Sequence, residues 1–144
     1  MRTRTLSAVA VVFFLFAGVG IAQESSNVKI QNVPVTPTSP ASGKDMYVNY
    51  CASCHGKDGK GNGPAAPALK SMPTDLTALG KKNGGKFPAD HVAAILAGAG
   101  VTAHGSADMP VWGTLFRRVS SGHQAEVQLR ISNMTKYLES IQAN

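Results

Sequence analysis

The stretch YCASCHG, residues 50–56, contains the only two cysteines of the chain and places a histidine directly after the second one. Just before and within it, Tyr47, Tyr50, Cys51 and Cys54 follow one another at spacings that put all four side chains on one stripe of a helix. Such a stripe is either an ordinary core face or a face that meets something the two thiols bind.

Four kinds of site use two thiols at this spacing. A thioredoxin-like dithiol follows a strand in a βαβ unit, and no convincing strand is visible in the chain. A zinc site needs four ligands, so it would take His55 and one of the three other histidines, His91, His104 and His123. A disulfide across three residues would close too small a loop to stabilise much. The pattern C-x-x-C-H is the attachment signature of a c-type haem, so we predict one covalently bound haem c.

The chemistry of attachment explains this spacing. The thiols of Cys51 and Cys54 add to two vinyl groups of one porphyrin, and one helical turn separates the two residues. His55 follows along the backbone and is carried under the ring, where its imidazole can reach the iron. Cys51 and Cys54 are therefore predicted to bind the haem, and His55 to be an axial ligand.

The rest of the chain predicts an all-α domain with three main helices. Ser42 can cap the first helix, which should end near His55. Pro88 suits the first turn of the second helix, and Gly98 should end it. The last helix is expected from about His123 to Gln142, with an apolar stripe at positions 127, 131, 134, 138 and 141.

Long loops are expected between these helices. Residues 57–85 are rich in glycine and proline, with a short turn of helix expected only at Leu76–Leu79. So long a loop in a small domain should wrap around something. A second loop is expected from Gly98 to Gly113.

Residues 43–141 resemble a class I, single-haem cytochrome c. Gly43 and Tyr47 match the family pattern G-x-x-x-aromatic before the haem motif, and Tyr137-Leu138 match a pair on its last helix. The resemblance implies a cytochrome c-like fold around one haem, with the first and last helices crossing closely at Gly43.

The resemblance also implies further residues of the haem pocket. A proline carbonyl of the family accepts the free N–H of the iron histidine, and Pro67 fits its spacing, with Pro64 as a competitor. Leu69 corresponds to a leucine that lies on the ring. Trp112 is expected to pack near the ring.

Met109 is predicted to be the sixth ligand. It lies in the loop sequence DMPVWG, before Pro110, and the family's distal methionine occupies such a loop. His104 is the alternative, which would give a bis-histidine iron. His91 and His123 are interpreted as residues on the solvent side.

The N-terminal region is expected to direct export. Arg2 and Arg4 precede an apolar run, Ala8–Ala22, and small residues stand at the two positions a signal peptidase reads before Gln23. Residues 1–22 are therefore predicted to be a signal peptide, the alternative being an uncleaved membrane anchor. Residues 23–41, with proline at every third position from 34 to 40, are predicted to be a linker, and residues 42–144 the cytochrome domain.

Charge and site chemistry together predict an electron carrier and not an enzyme. The net charge of +6 falls to +4 when Arg2 and Arg4 are removed, because 12 basic and 8 acidic residues remain. No basic run with interleaved aromatic residues indicates nucleic-acid binding, and a membrane contact is expected only if the N-terminal segment is uncleaved. The expected partners are redox proteins: a respiratory complex or periplasmic dehydrogenase as donor, and a terminal oxidase or another reductase as acceptor. The alternatives are a haem subunit of a larger periplasmic oxidoreductase, or a gas sensor or peroxidase if Met109 is not a ligand.

Overall fold

A computed structural model of the protein describes residues 37–99 and 109–143. These ranges contain six α-helices: α1 (Gly43–Tyr50), α2 (Ala52–His55), α3 (Leu79–Lys82), α4 (Ala89–Ala97), α5 (Trp112–Val119) and α6 (Gln124–Ser140). They contain no β-strand, and the predicted all-α, cytochrome c-like fold is confirmed. Within the same ranges, no helix is both long and apolar enough to cross a membrane. The predicted signal peptide, most of the predicted linker and His104 lie outside the described residues.

Helix α1 begins where the sequence predicts. The side chain of Ser42 accepts a hydrogen bond of 3.1 Å from the backbone N–H of Asp45, which satisfies one of the free donors at the helix start. The helix is interrupted at Cys51 and continues as α2, which ends at Gly56 in a conformation with φ of 79° that favours glycine. The haem motif therefore occupies the junction of two helices and the short helix that follows it.

The close crossing of α1 and α6 at Gly43 is confirmed. A Cβ atom on Gly43 would collide with the carbonyl oxygen of Asn133 and would lie 2.8 Å from the Cβ of Tyr137. The rings of Tyr47 and Tyr137 pack with centroids 5.2 Å apart. Tyr47 is fully buried, and burial raises the pKa of its hydroxyl well above the usual value. The hydroxyl stays protonated and donates a 2.7 Å hydrogen bond to the carbonyl of Gly56, so the crossing is joined to the end of the haem motif.

Helix α5 was not predicted. The loop expected to run from Gly98 to Gly113 ends before Trp112, and both Trp112 and Gly113 belong to the helix. Gly113 permits close packing on α4, because a Cβ there would collide with the carbonyl oxygen of Ala97. Trp112 and Phe116 are buried one turn apart and form the inner face of α5.

The other predicted elements are present with small shifts. Helix α4 is flanked by Pro88 and ends at Gly98, whose φ of 100° is left-handed. His123 precedes α6, and the predicted stripe of α6 is buried at Val127, Ile131, Met134 and Leu138. The turn expected at Leu76–Leu79 is a 3₁₀ turn, Leu76–Ala78, that leads into α3.

A buried arginine connects the N-terminal residues to the domain. Arg130 is only 2% exposed and forms a 2.8 Å ion pair with Glu126, and this bond lowers the pKa of the Glu126 carboxyl. It also donates to the side chains of Ser120, at 3.0 Å, and Thr38, at 3.3 Å. Asn133 donates a 2.9 Å hydrogen bond to the carbonyl of Pro40. Residues 38–40 are therefore bonded to the domain, although they were predicted to be linker.

The variant Gly43→Ala tests the helix crossing. Replacement of an exposed glycine in a helix by alanine raises the free energy of unfolding of a protein by up to about 1 kcal/mol. At Gly43 the new methyl group would push α1 away from α6, so we expect the free energy of unfolding to fall by about 1–3 kcal/mol. The measurement is denaturant unfolding of the holoprotein. The control is Lys44→Ala, at the next and exposed position of α1. A stabilised Gly43→Ala variant would contradict the close crossing.

Candidate functional site

A cavity of about 240 Å³ lies between the haem motif, helix α4, the start of α5 and the segment that follows Leu69. Its walls are mainly apolar. Side chains of Val92, Ile95 and Leu96 come from α4, and Leu138 comes from α6. The loops that precede α4 and α5 also contribute to the walls, as expected for long loops wrapped around a group.

Both cysteines line this cavity. Cys51 stands between α1 and α2, where its backbone N–H continues the hydrogen bonding of α1 to the carbonyl of Tyr47, at 2.9 Å. Cys51 is buried, and burial, with a smaller contribution from Cys54, raises the pKa of its thiol to about 12. The Cys51 thiol is therefore neutral at neutral pH, which suits an apolar wall. Cys54 is half-buried one turn further along.

His55 also lines the cavity, and one of its ring nitrogens has a defined partner. Its Nδ1 lies 3.0 Å from the carbonyl oxygen of Thr74. A carbonyl oxygen only accepts, so this contact is a hydrogen bond in the tautomer with the proton on Nδ1. In that tautomer the ring lone pair is on Nε2, the nitrogen that can bind a metal.

The acceptor at Nδ1 differs from the one expected. Pro67 was predicted to supply the carbonyl, with Pro64 as its competitor, but the structure places the carbonyl of Thr74 there. Pro67 is exposed in a 3₁₀ turn, Ala66–Ala68, and is not among the residues that line the cavity. Its spacing from His55 matches the family pattern, but the contact at Nδ1 is made by the chain after Leu69. Leu69, predicted to lie on the ring, lines the cavity.

Met109 and Trp112 also line the same cavity. Met109 is half-buried and stands three residues before α5. Trp112 is 7% exposed and stacks on Tyr50 with ring centroids 6.0 Å apart. The structure thus brings Met109 into one cavity with both thiols and His55.

Met72, Thr74 and His91 line the cavity but were not predicted to do so from the sequence. His91, interpreted as a residue on the solvent side, is exposed but contributes to the cavity wall, and Met72 lies at the wall with 72% of its surface exposed. Thr74 was missed because its contact is made by the backbone, which no side-chain pattern reveals. The hydroxyl of Tyr50 accepts from the N–H of Thr38 at 3.1 Å, and this contact joins the N-terminal residues to a cavity side chain.

The residues present fit a covalently attached haem better than a zinc ion. Within the described ranges, no group of three or more His, Cys, Asp and Glu side chains is arranged to hold a metal ion. A zinc site that combines the haem motif with His91 or His123 is therefore not formed. Two thiols and an imidazole nitrogen instead border an apolar cavity together with a thioether sulfur, the donor set of a haem held by thioether bonds and axial ligands.

The fold is that of a class I monohaem c-type cytochrome, a class of haem proteins that transfer electrons. The family model described as cytochrome C oxidase, cbb3-type, subunit III matches residues 38–118, and the chain belongs to this family. Members of the class carry covalently bound haem c, and that prediction is confirmed. Neither the curated proteins nor the solved structures contain a significant match to the chain.

Replacement of both cysteines tests the attachment. We expect Cys51→Ala and Cys54→Ala each to remove one thioether bond, and the double variant to contain no covalent haem. At about 24 cal/mol per Å³, an empty cavity of about 240 Å³ costs on the order of 6 kcal/mol. This is the order of the whole stability of a small domain. The double variant should therefore be largely unfolded, as measured by circular dichroism and by haem that survives denaturing electrophoresis.

The control is Lys44→Ala, at an exposed position of α1 that does not line the cavity. It should keep covalent haem and a normal melting transition. A double cysteine variant with a native-like helical spectrum and a cooperative melting transition would show that the fold does not depend on the haem.

Proposed function

We propose that the protein is an exported, periplasmic carrier of single electrons whose haem iron is held by His55 and Met109. The observation that supports this function best is the shared cavity: the imidazole, the thioether sulfur and both thiols border one apolar space. The thiols of Cys51 and Cys54, the only cysteines of the chain, form the two thioether bonds.

The ligands determine what the site can do. The haem supplies a one-electron couple, and the chain supplies a dry pocket and two axial ligands. With His55 and Met109 both bound, no position on the iron stays open for a substrate. The methionine sulfur raises the reduction potential, because a soft ligand favours the ferrous state. Such a centre exchanges electrons with little rearrangement.

Export and respiratory partners complete the proposal. The predicted signal peptide supports a periplasmic location, where haem attachment and electron carriage by such cytochromes would take place. The family description names a subunit of a terminal oxidase, which supports redox partners in a respiratory chain. We propose that electrons arrive from a respiratory complex or a periplasmic dehydrogenase and leave to a terminal oxidase or another reductase.

A second candidate function is that of a haem subunit within a larger oxidoreductase. The family description favours it, because the name it prints is that of an oxidase subunit. Copurification from native membranes distinguishes the two functions. A free carrier separates as a monomer, whereas a subunit stays with its complex.

Replacement of the proposed sixth ligand is the main test. Met109→Ala should keep the haem attached and His55 bound, but it removes the sulfur that favours ferrous iron. We expect the weak sulfur-to-iron charge-transfer band of the oxidised protein to vanish, the midpoint potential to fall, and carbon monoxide to bind the reduced form. The measurements are a redox titration with a spectrum at each step, and a spectrum with carbon monoxide.

The control for this test is His104→Ala, which should cause none of these changes. If His104→Ala opens the iron while Met109→Ala is silent, the protein is a bis-histidine haem protein and the high-potential carrier is excluded. If the wild-type reduced protein already binds carbon monoxide readily, a gas sensor or a peroxidase becomes the better interpretation.

A positive rim around the cavity is proposed to steer an acidic partner. Eight basic residues of the loops and helix ends are all exposed: Lys57, Lys60, Lys70, Lys81, Lys82, Lys86, Arg117 and Arg118. Two of them, Lys60 and Lys82, lie close enough to Asp75 to lower the pKa of its carboxyl, although the bond from Thr77 lowers it more. Asp75 follows the cavity residue Thr74, so these two lysines stand beside the site.

Salt dependence and charge reversal test the steering. Electrostatic steering raises association rates by about 10- to 1,000-fold and is screened over about 8 Å at physiological ionic strength. We expect the double variant Lys60→Glu, Lys82→Glu to slow electron transfer to an acidic partner at low salt, and the difference to shrink as salt rises. Lys136→Glu, on the exposed face of α6, is the matched control and should have a smaller effect. A wild-type rate that does not change with salt would rule out steering.

A further inference from the structure

We propose that the segment Pro73–Thr77, named here the anchored segment, is the positioning element for the axial ligand His55. Its carbonyl at Thr74 receives the Nδ1–H of His55 and so sets the orientation and the electron donation of the imidazole. This inference rests on the proposed function, in which His55 binds the iron. It assigns the acceptor of the His55 Nδ1–H bond to the Thr74 carbonyl and not to the carbonyl of Pro67.

The anchored segment is first tied to the loop that follows the haem motif. The N–H of Leu76 donates a 2.7 Å hydrogen bond to the carbonyl of Gly59. Gly61 in turn donates to the carbonyl of His55 itself, at 2.8 Å. Pro73 also packs against Gly61, where a Cβ would collide with the Pro73 carbonyl oxygen. The segment and the ligand are therefore both bonded to residues 59–61.

A side-chain cap then fixes the backbone next to Thr74. The Oδ1 of Asp75 accepts from the backbone N–H of Thr77 at 2.8 Å and from its hydroxyl at 2.7 Å. Both bonds favour the ionised carboxylate, and the hydroxyl bond is the largest cause of the lowered pKa of Asp75. The cap starts the 3₁₀ turn at Leu76 and fixes the direction in which the preceding carbonyl points.

The C-terminus holds the same segment from the other side. The side-chain amide of Gln142 donates to the carbonyl of Leu76 at 2.8 Å, and its oxygen accepts from the N–H of Gly80 at 2.8 Å. The N–H of Ala143 donates to the carbonyl of Thr77, also at 2.8 Å. Gln142 does not line the cavity, but its side-chain amide also donates to the carbonyl of the cavity residue Leu138 at 2.7 Å, so the Nδ1–H signal of His55, and not the potential alone, reports its effect through the anchored segment.

The chemical consequence concerns the strength of the axial bond. An acceptor on the free N–H of a ligating imidazole makes the ring a stronger electron donor. Stronger donation stabilises ferric iron relative to ferrous iron and lowers the potential. A looser segment should lengthen the bond at Nδ1 and raise the potential.

The direct test is proton NMR of the reduced, isotopically labelled holoprotein. We expect a slowly exchanging Nδ1–H signal of His55, with nuclear Overhauser contacts to Thr74 Hα and to the backbone N–H of Asp75. Contacts to Pro67 or Pro64 instead would overturn the inference. A proton that exchanges too fast to be seen would also overturn it, since a hydrogen bond to the Thr74 carbonyl should slow its exchange.

Variants separate the cap from its charge. Asp75→Asn keeps the oxygen that accepts from Thr77 and removes the charge, whereas Asp75→Ala removes both. We expect Asp75→Ala to raise the midpoint potential more than Asp75→Asn and to shift the Nδ1–H signal, while Pro67→Ala changes neither. Equal potentials in the two Asp75 variants, with an unmoved Nδ1–H signal, would overturn the role of the cap.

The contact made by Gln142 allows a second, independent test. Gln142→Ala should raise the potential and shift the Nδ1–H signal. Ser140→Ala is the matched control, because it loses a 2.7 Å bond to the Tyr137 carbonyl and no contact with the anchored segment. Equal effects of the two would overturn the role of Gln142.

The failures of the two proposals are distinguishable. A wild-type spectrum without the features of histidine and methionine ligation defeats the proposed function. Normal ligation with Nδ1–H contacts to Pro67 defeats only the inference about the anchored segment.

Discussion

The apolar cavity beside residues 51–55 is the constraint on which the rest of the fold depends. A domain of about one hundred residues has a modest core, and here several of its buried apolar side chains, among them Val92, Leu96 and Trp112, face a space that the side chains of the domain do not fill. Burial of apolar surface is the main favourable term in folding, so the walls of this space are stable only around a large apolar group. The covalent haem of the class supplies that group and explains why glycine- and proline-rich loops form part of the walls.

The crossing of α1 and α6 fixes where that group is attached. Gly43 lets the two helices touch, and the Tyr47 hydroxyl extends the contact to the carbonyl of Gly56, directly after His55. The positions of the thiols and the imidazole therefore follow from a helix contact that lies outside the cavity. Arg130 adds a buried polar connection between α6 and Thr38, and Thr38 also bonds to the cavity residue Tyr50.

Side-chain patterns predicted much of this arrangement, because they report buried helix faces. The α6 stripe, the Ser42 cap and the glycine at Gly98 each have a local physical cause that is visible in the sequence. Helix α5 was missed because it is only eight residues long and follows a glycine-rich stretch, although Trp112, Leu115, Phe116 and Val119 have helical spacing. The Thr74 contact could not be predicted, since a carbonyl 19 residues from His55 has no sequence signal.

The same contact connects the surface to the proposed ligand. Asp75 is the residue after Thr74. Its carboxylate accepts hydrogen bonds from Thr77, and the positive charges of Lys82 and Lys60 also lower its pKa. The charges of Lys60 and Lys82 therefore act on Asp75, which is one residue away from the carbonyl that receives the Nδ1–H of His55. An acidic surface that approached these lysines would change the field at the anchored segment as well as the rate of encounter. Lys60 and Lys82, which are proposed to steer a partner, thus lie near the segment proposed to position the ligand. A charge change at either lysine should be examined for its effect on potential as well as on rate.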